Sequence, residues 1–266
     1  MKNIKSTLMM AVILLVAACT PNTSKENTAD NNEWQSLFNG KNLDDWTVKI
    51  SHHEMGDNFA NTFRVKDGKI LVSYDDYDKF DNQFGHMFYK DPFSSYHLRL
   101  EYRFTNQDMD DAPDYAYRNS GVMFHAQAPN TMTKDQDWPI AIEYQILADA
   151  DDGNPRPTGN VCTPGTDIDF HNEMYPGHCL NSDSKTYKWD QWVTGDLIVY
   201  GDSLIIHMVN GDTVLQYSKP RMGGGVVTRA DSTIYIPGKA LKNGYIALQS
   251  EGSGIEFRNI QIKKLD

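Results

Sequence analysis

Nine residues, YHLRLEYRF from Tyr96 to Phe104, alternate without a break. Leu98, Leu100, Tyr102 and Phe104 share one face, while Arg99, Glu101 and Arg103 take the other. Successive strand side chains point to opposite faces, so this run reads as a half-buried strand. The same pattern recurs along the chain, punctuated by turn residues. TFRVKDGKILVSY has Asp67-Gly68 at its centre, the two-residue turn of a hairpin. WVTGDLIVYGDSLIIHMVNGDTVLQYSK divides into three strands at Gly201-Asp202 and Asn210-Gly211-Asp212, and GYIALQSE and IEFRNIQIKKL supply two more. Beyond the N-terminal apolar run, no helical periodicity lasts longer than two turns. Many short strands with regular turn signals make an all-β sandwich or barrel. The lack of strand–helix alternation excludes a parallel α/β sheet.

The length of 266 residues suits one large all-β domain as well as two smaller ones. A net charge of -11 argues against a nucleic-acid partner, whose binders carry basic patches. The 14 tyrosines fit strand packing, and they equally fit stacking on sugar rings. At the N-terminus, Lys2 and Lys5 precede an apolar run from Leu8 to Ala18 that is too short to span a bilayer. It ends Val16-Ala17-Ala18-Cys19, which resembles a bacterial lipobox with Cys19 as the lipid-bearing residue. The expected organisation is a signal peptide over 1–18, a lipidated polar tether over 19–33 and a folded domain over 34–266. Such a protein sits in the cell envelope, held to the membrane by its lipid and facing the periplasm or the surface.

Two further cysteines, Cys162 and Cys179, suit a disulfide in an exported protein. A metal site formed by these two with His171 and His178 is the alternative, although the spacing matches no common zinc pattern. The proline-rich segment Ala148 to Lys188 reads as a long irregular lid or binding loop. Asp108, Asp110, Asp111 and Asp114 form an acidic loop that lacks calcium-loop spacing and reads as solvated.

Chemistry concentrates between Asn119 and Leu147. GVMFHAQ and AIEYQIL are two strand-like runs joined by a polar loop carrying Asp135, Asp137 and Trp138. Strict alternation places Met123, His125 and Gln127 on one face, opposite Val122, Phe124 and Ala126. In the second run it sets Glu143 and Gln145 against Ile142, Tyr144 and Ile146. If the two polar faces line one hollow, an imidazole and a carboxyl meet there.

Five segments in order resemble the 3-keto-disaccharide hydrolase domain family. They are WQSLFNGKNLDDW, NSGVMFHAQ, IEYQIL, the WVTGDLIVYGDSLIIHMVNGDTVLQY stretch and GYIALQSEGSGIEFRNIQIKKL. The resemblance covers Trp34 to Leu265 and departs from the common pattern at His125, where an Arg is usual, and at Glu251, where a His is usual. It implies a jelly-roll sandwich of two antiparallel sheets, similar to the concanavalin A-like lectins and glucanases. It also implies cleavage of glycosides or disaccharides whose sugar carries a ketone at C3.

A C3 ketone acidifies the C2 proton, so removing that proton and expelling the C1 substituent, followed by water addition, gives net hydrolysis. The expected base is Glu143, with His125 as acid, base or metal ligand. A divalent ion held by His125, Glu143 and Gln145 is a cofactor this route could use, although the sequence does not require one. Arg118, Asn119, Gln127, Trp138, Gln145, Gln249 and Glu251 are the candidates for contact with the sugar. The rival route, through an oxocarbenium ion, needs a second carboxyl from Glu251, Asp137 or Glu101. A non-catalytic carbohydrate-binding protein is the alternative function, because sandwiches host both roles.

Overall fold

The computed structural model describes residues 33–265. The expected signal peptide over 1–18, the expected lipid-bearing Cys19 and the expected tether up to residue 32 lie outside the described residues. In chain order the strands are β1 (Gln35–Ser36), β2 (Trp46–Ile50), β3 (Phe63–Lys66), β4 (Lys69–Val72), β5 (Gly85–Tyr89), β6 (Ser95–Asp108), β7 (Asn119–Ala126), β8 (Ile142–Leu147) and β9 (Asn160–Cys162). They continue with β10 (Thr166–Phe170), β11 (Glu173–Met174), β12 (Cys179–Leu180), β13 (Val193–Tyr200), β14 (Leu204–Val209), β15 (Asp212–Met222), β16 (Tyr245–Ser250) and β17 (Ser253–Lys264). The only helical turns among the described residues are three short 3-10 segments, and no helix is long and apolar enough to cross a membrane.

The strands form two sheets, and every pairing between them is antiparallel. The larger runs β11-β10-β15-β14-β13-β6-β17-β4-β3, with β1 added on β17; the smaller runs β12-β9-β8-β7-β16-β5-β2. The Asp67-Gly68 turn joins β3 to β4 with both residues at positive φ, as a tight hairpin turn requires. Strand β6 shows the burial that its sequence alternation predicts, with Tyr96, Leu98, Leu100, Tyr102 and Phe104 buried. These side chains and the apolar residues of β13, β14 and β17 meet Val122, Phe124, Ile142, Tyr144, Ile146 and Leu248 from the smaller sheet in one core. Tyr144 ties the layers together by donating its hydroxyl to the Met208 carbonyl at 2.9 Å.

The stretch from Ala148 to Lys188 departs from the irregular loop expected of it. β9 and β12 extend the smaller sheet, while β10 and β11 extend the larger one. Cys162 and Cys179 are direct cross-strand partners of β9 and β12 and form a disulfide with an S–S distance of 2.04 Å. That disulfide removes the thiolate pair on which the alternative metal site depended.

Candidate active site

The outward face of the smaller sheet carries the polar residues. Gln145 of β8 lies between Gly121 of β7 and Asn160 of β9, and Glu143 lies between Met123 and Cys162. Gly121 explains the pose of Glu143. A Cβ at that position would lie 2.6 Å from Glu143 Oε1 and 2.8 Å from its Cγ, so the carboxyl occupies the space left by the missing side chain. The turn that leads from β16 across to β17 brings Glu251 to the same floor, where the charge of Glu143 acts on it.

Above this floor lies a cleft of about 480 Å³, within the range of small-molecule sites. Tyr115, Trp138, Arg156, His178 and the two half-cystines contribute to its walls. A smaller hollow of about 280 Å³ shares Tyr115 and Trp138 with it and is lined by His52, Asp135, Asp137 and Arg229. Two compartments on either side of a pair of aromatic rings give room for a two-part ligand.

The electrostatics of the floor are unusual for glutamates. Both carboxyls are buried, and Glu143 Oε1 and Glu251 Oε2 have no hydrogen-bond partner. Burial lifts Glu143 well above the ordinary carboxyl range. It lifts Glu251 well above that range too, the Glu143 charge adds to the effect, and Arg156 opposes it. Arg156 is not free to pair with either, because it donates to the main-chain oxygens of Ala148 at 2.8 Å and Tyr117 at 2.6 Å. Gln145 accepts a bond from Asn160 at 3.0 Å through its Oε1, which leaves its amide N–H groups to face the cleft.

The structure corrects the expected pairing of His125 with Glu143. Between β7 and β16 the register slips, so that Tyr245 faces Ala126 and Ala247 faces Met123. His125 sits in this bulge at φ 46°, which breaks the two-residue alternation. Its ring turns toward the larger sheet and its Nε2 donates to the Gly201 carbonyl at 2.9 Å. His125 therefore lines no part of the Glu143 cleft.

The proposed divalent site of His125, Glu143 and Gln145 is consequently not assembled. Among the described residues, the group that brings three His, Cys, Asp or Glu ligand atoms together is Cys162, His178 and Cys179, where the sulfurs are bonded to each other.

The other candidates divide. Asn119, Trp138, Gln145, Glu251 and His178 line the cleft. Arg118 does not: its guanidinium is held by Asp151 at 2.6 Å and by the Asp149 carbonyl. Gln127 does not either, because its Oε1 accepts from Gln136 and Ile140 while its Nε2 donates to Thr131. Gln249 is wholly buried on the same outward face, beside Gly121, and makes no wall of the cleft. His171 is exposed beside the Phe170 ring and lies away from it.

Of the three possible second carboxyls, Asp137 is bonded to Thr228 in the smaller hollow and Glu101 is paired with Arg258 on the larger sheet. Glu251 is the one that joins Glu143. In the acidic loop, Asp111 accepts from the Phe80 and Asp81 amides and Asp108 from Ser253, so two of its four acids are structural. Sequence reasoning missed Tyr115, Arg156 and His86. The alternation of FGHMFYK was a signal for His86; nothing local marked the other two.

Fold and site together define a two-sheet antiparallel sandwich with a ligand-sized cleft over a buried carboxyl pair on one outer face. A family model described as 3-keto-alpha-glucoside-1,2-lyase-like domain matches residues 33–263, and the chain belongs to that family, the one its five segments resemble. Two crystal structures of candidate glycosyl hydrolases from Parabacteroides distasonis are similar. One has a TM-score of 0.53 at 20% identity, covering 88% of this chain and 100% of the other. The second has a TM-score of 0.52 at 20% identity, covering 88% and 94%. A Bacillus subtilis protein of unknown function with a galectin-like fold gives 0.52 at 12% identity over 87% of this chain and 94% of its own. At these identities the likeness establishes the galectin-like sandwich. No curated protein sequence matches the chain.

Proposed function

We propose that this protein cleaves glycosides of 3-keto sugars by elimination followed by hydration, with Glu143 as base and Glu251 as acid. The observation that carries the reading is the pair of buried carboxyls at the bottom of the cleft, neither bonded to a cation and the Glu143 charge acting on Glu251. Glu143 takes the C2 proton, and the C–H electron pair becomes the enolate whose charge rests on the C3 oxygen. The amide N–H groups of Gln145 supply donors for that oxygen. The enolate pair then forms the C1–C2 double bond as the C1–O bond breaks, and Glu251 gives its proton to the departing oxygen. Water adds its hydroxyl to C1 and a proton to C2, which yields the free 3-keto sugar.

The raised pKa values suit these roles. A carboxyl held protonated by burial is a competent acid, and a carboxylate whose pKa is lifted to about 8 is a stronger base than an exposed glutamate. Glu143 rises from β8 and Glu251 from the turn after β16, and both enter the cleft from its floor, so they approach a bound ring from one side. That arrangement favours elimination over the oxocarbenium route, in which the two carboxyls flank the scissile bond. The smaller hollow beyond Trp138 is the natural place for the departing half. The lipobox-like N-terminus supports export as a lipid-anchored envelope protein, which mass spectrometry of the lipid on Cys19 would test.

The deciding experiment follows aglycone release from a 3-keto-glucoside and from its unoxidised parent. Turnover of the keto compound alone supports the reading. Saturable glycan binding with no turnover of either compound would replace it with the carbohydrate-binding reading.

A further inference from the structure

Behind the carboxyl pair, a single row of side chains crosses the outward face of the smaller sheet. Lys49 of β2 pairs with His86 of β5, and His86 pairs with Gln249 of β16. Because Leu248 faces Val122, Gln249 lies beside Gly121 of β7, the position whose empty space holds the Glu143 carboxyl. Neighbouring strands are about 4.8 Å apart, so His86, Gln249 and that carboxyl are successive neighbours in one line.

This row is also where hydrogen bonding is incomplete. Both ring nitrogens of His86 and both amide atoms of Gln249 are buried without a partner, as is Glu143 Oε1. His207, equally buried in the core, shows the ordinary condition. Its Nδ1 contacts the Gly159 carbonyl at 2.9 Å and its Nε2 the Tyr217 hydroxyl at 2.8 Å. Buried polar groups left open are rare and costly, so four such atoms on adjacent residues beside a catalytic candidate call for a role.

We propose that Gln249 is a positioning residue for Glu143, its amide serving as hydrogen-bond partner to the carboxyl in both protonation states while His86 holds the amide's other end. The inference rests on the reading of Glu143 as the base. A base must accept hydrogen bonds before it takes a proton and donate one afterwards. A lysine or arginine partner offers donors alone and would favour the ionised state throughout. A primary amide offers both, and rotating it, or inserting one bridging water, exchanges the two. A neutral imidazole can follow that exchange, because it also carries one donor and one acceptor. Burial, with a smaller push from Lys49, keeps His86 neutral by drawing its pKa down to about 3. The other titratable groups facing the pair are Arg156, Tyr115 and His178 around the cleft and Tyr74 beneath the Glu251 turn.

The test compares Gln249→Leu, His86→Phe and His86→Gln with the wild type. Gln249→Leu removes the amide at similar volume and is expected to lower kcat by roughly 10- to 100-fold with KM little changed. It should also move the acidic limb of the kcat/KM profile upward, because the ionised Glu143 loses a donor. His86→Phe should move both readouts the same way by less, and His86→Gln, which keeps a donor and an acceptor, should restore them. NMR titration of protein carrying carbon-13 at the glutamate carboxyls reads the same displacement without substrate. If the wild type turns over no 3-keto-glucoside but Gln249→Leu still shifts the pair's titration, the functional reading fails and this one stands. An unshifted titration in folded Gln249→Leu overturns it, as does a raised KM with unchanged kcat, which would make Gln249 a sugar contact. Should Gln249→Leu not fold, the His86 pair decides by the same criteria.

Discussion

The two outer faces of the sandwich carry the same residue types and treat them in opposite ways. On the larger sheet, Asp196 is bonded to His97 at 2.7 Å and Arg99 at 2.6 Å, and Glu256 to Lys69 and Arg103 at 2.6 Å each. Burial pushes both carboxyls up, but these hydrogen bonds and charges outweigh it and hold them below the ordinary range. Trp192 roofs part of this ladder, with the Arg258 guanidinium 3.9 Å and that of Arg103 4.7 Å from its ring centre. At the smaller sheet's cleft, Glu143 and Glu251 are comparably buried but have no cation bonded to them, so burial prevails and lifts both. The presence of acids does not separate site from scaffold here. What separates them is whether each acid was given a partner.

The largest effect that tests this contrast is on turnover. Glu143→Gln should reduce kcat for a 3-keto-glucoside by roughly 10³-fold, in the range for losing a general base. Glu256→Gln on the opposite face should leave turnover unchanged. Steady-state kinetics on both variants checks the pair, and equal losses would mean that the partnered acids also take part.

Next in size is the disulfide. It joins β9 to β12 at a sequence separation of 17, and both half-cystines line the cleft. Cys162→Ser with Cys179→Ser should lower stability by about 3 kcal/mol in the chain-entropy model. Chemical denaturation measures the loss. Because the bridge belongs to the wall of the smaller sheet's cleft, KM should rise more than kcat falls.

The parts of this molecule that alternation governs were legible in the sequence. The Tyr96–Phe104 run, the Asp67-Gly68 hairpin and the outward pair Glu143 and Gln145 follow from period two and turn chemistry alone. His125 was misplaced for a definite reason. A bulge adds one residue to β7 opposite β16, and the slip shows only in the pairing of Tyr245 and Ala247, which no local pattern records. Gly244 helps permit it, since a Cβ there would lie 2.3 Å from the His125 carbonyl carbon. Arg118 and Gln127 look like ligand-binding residues in a linear reading, but their partners come from Asp149 and Asp151, and from Gln136 and Ile140. The meeting of Glu143 with Glu251 joins a strand to the turn between the two sheets across more than a hundred residues, so sequence could name both acids without showing that they meet.

The two faces should also respond to pH with opposite signs. Glu143 and Glu251 have folded pKa values above their unfolded ones, so their contribution is fully present below the unfolded carboxyl pKa. It is lost as pH rises through the folded values, at ~1.4 kcal/mol per pH unit for each proton the folded pair retains. Stability measured from pH 5 to 8 should therefore decline in the wild type and decline less in the doubly substituted Glu143→Gln, Glu251→Gln protein. An unchanged slope would show that the pair ionises as ordinary glutamates do.

The smallest effect lies on the larger sheet and runs the other way. Asp196 has a folded pKa below its unfolded one, so its contribution is present above the unfolded value and is lost as pH falls through the folded value. Asp196→Asn keeps the shape but gives up the charge-assisted bonds to His97 and Arg99. The expected cost is about 1 to 2 kcal/mol at pH 7, below that of a fully buried pair because Arg99 stays half-exposed and solvated once released. The cost should shrink toward zero as pH falls below the carboxyl range, where the wild-type aspartate is itself neutral. Thermal unfolding of the two proteins at pH 7 and pH 3 measures both points. A cost that persisted at pH 3 would mean that Asp196 is held by packing rather than by its cations, and the contrast between the faces would then rest on Glu256 and Glu101 alone.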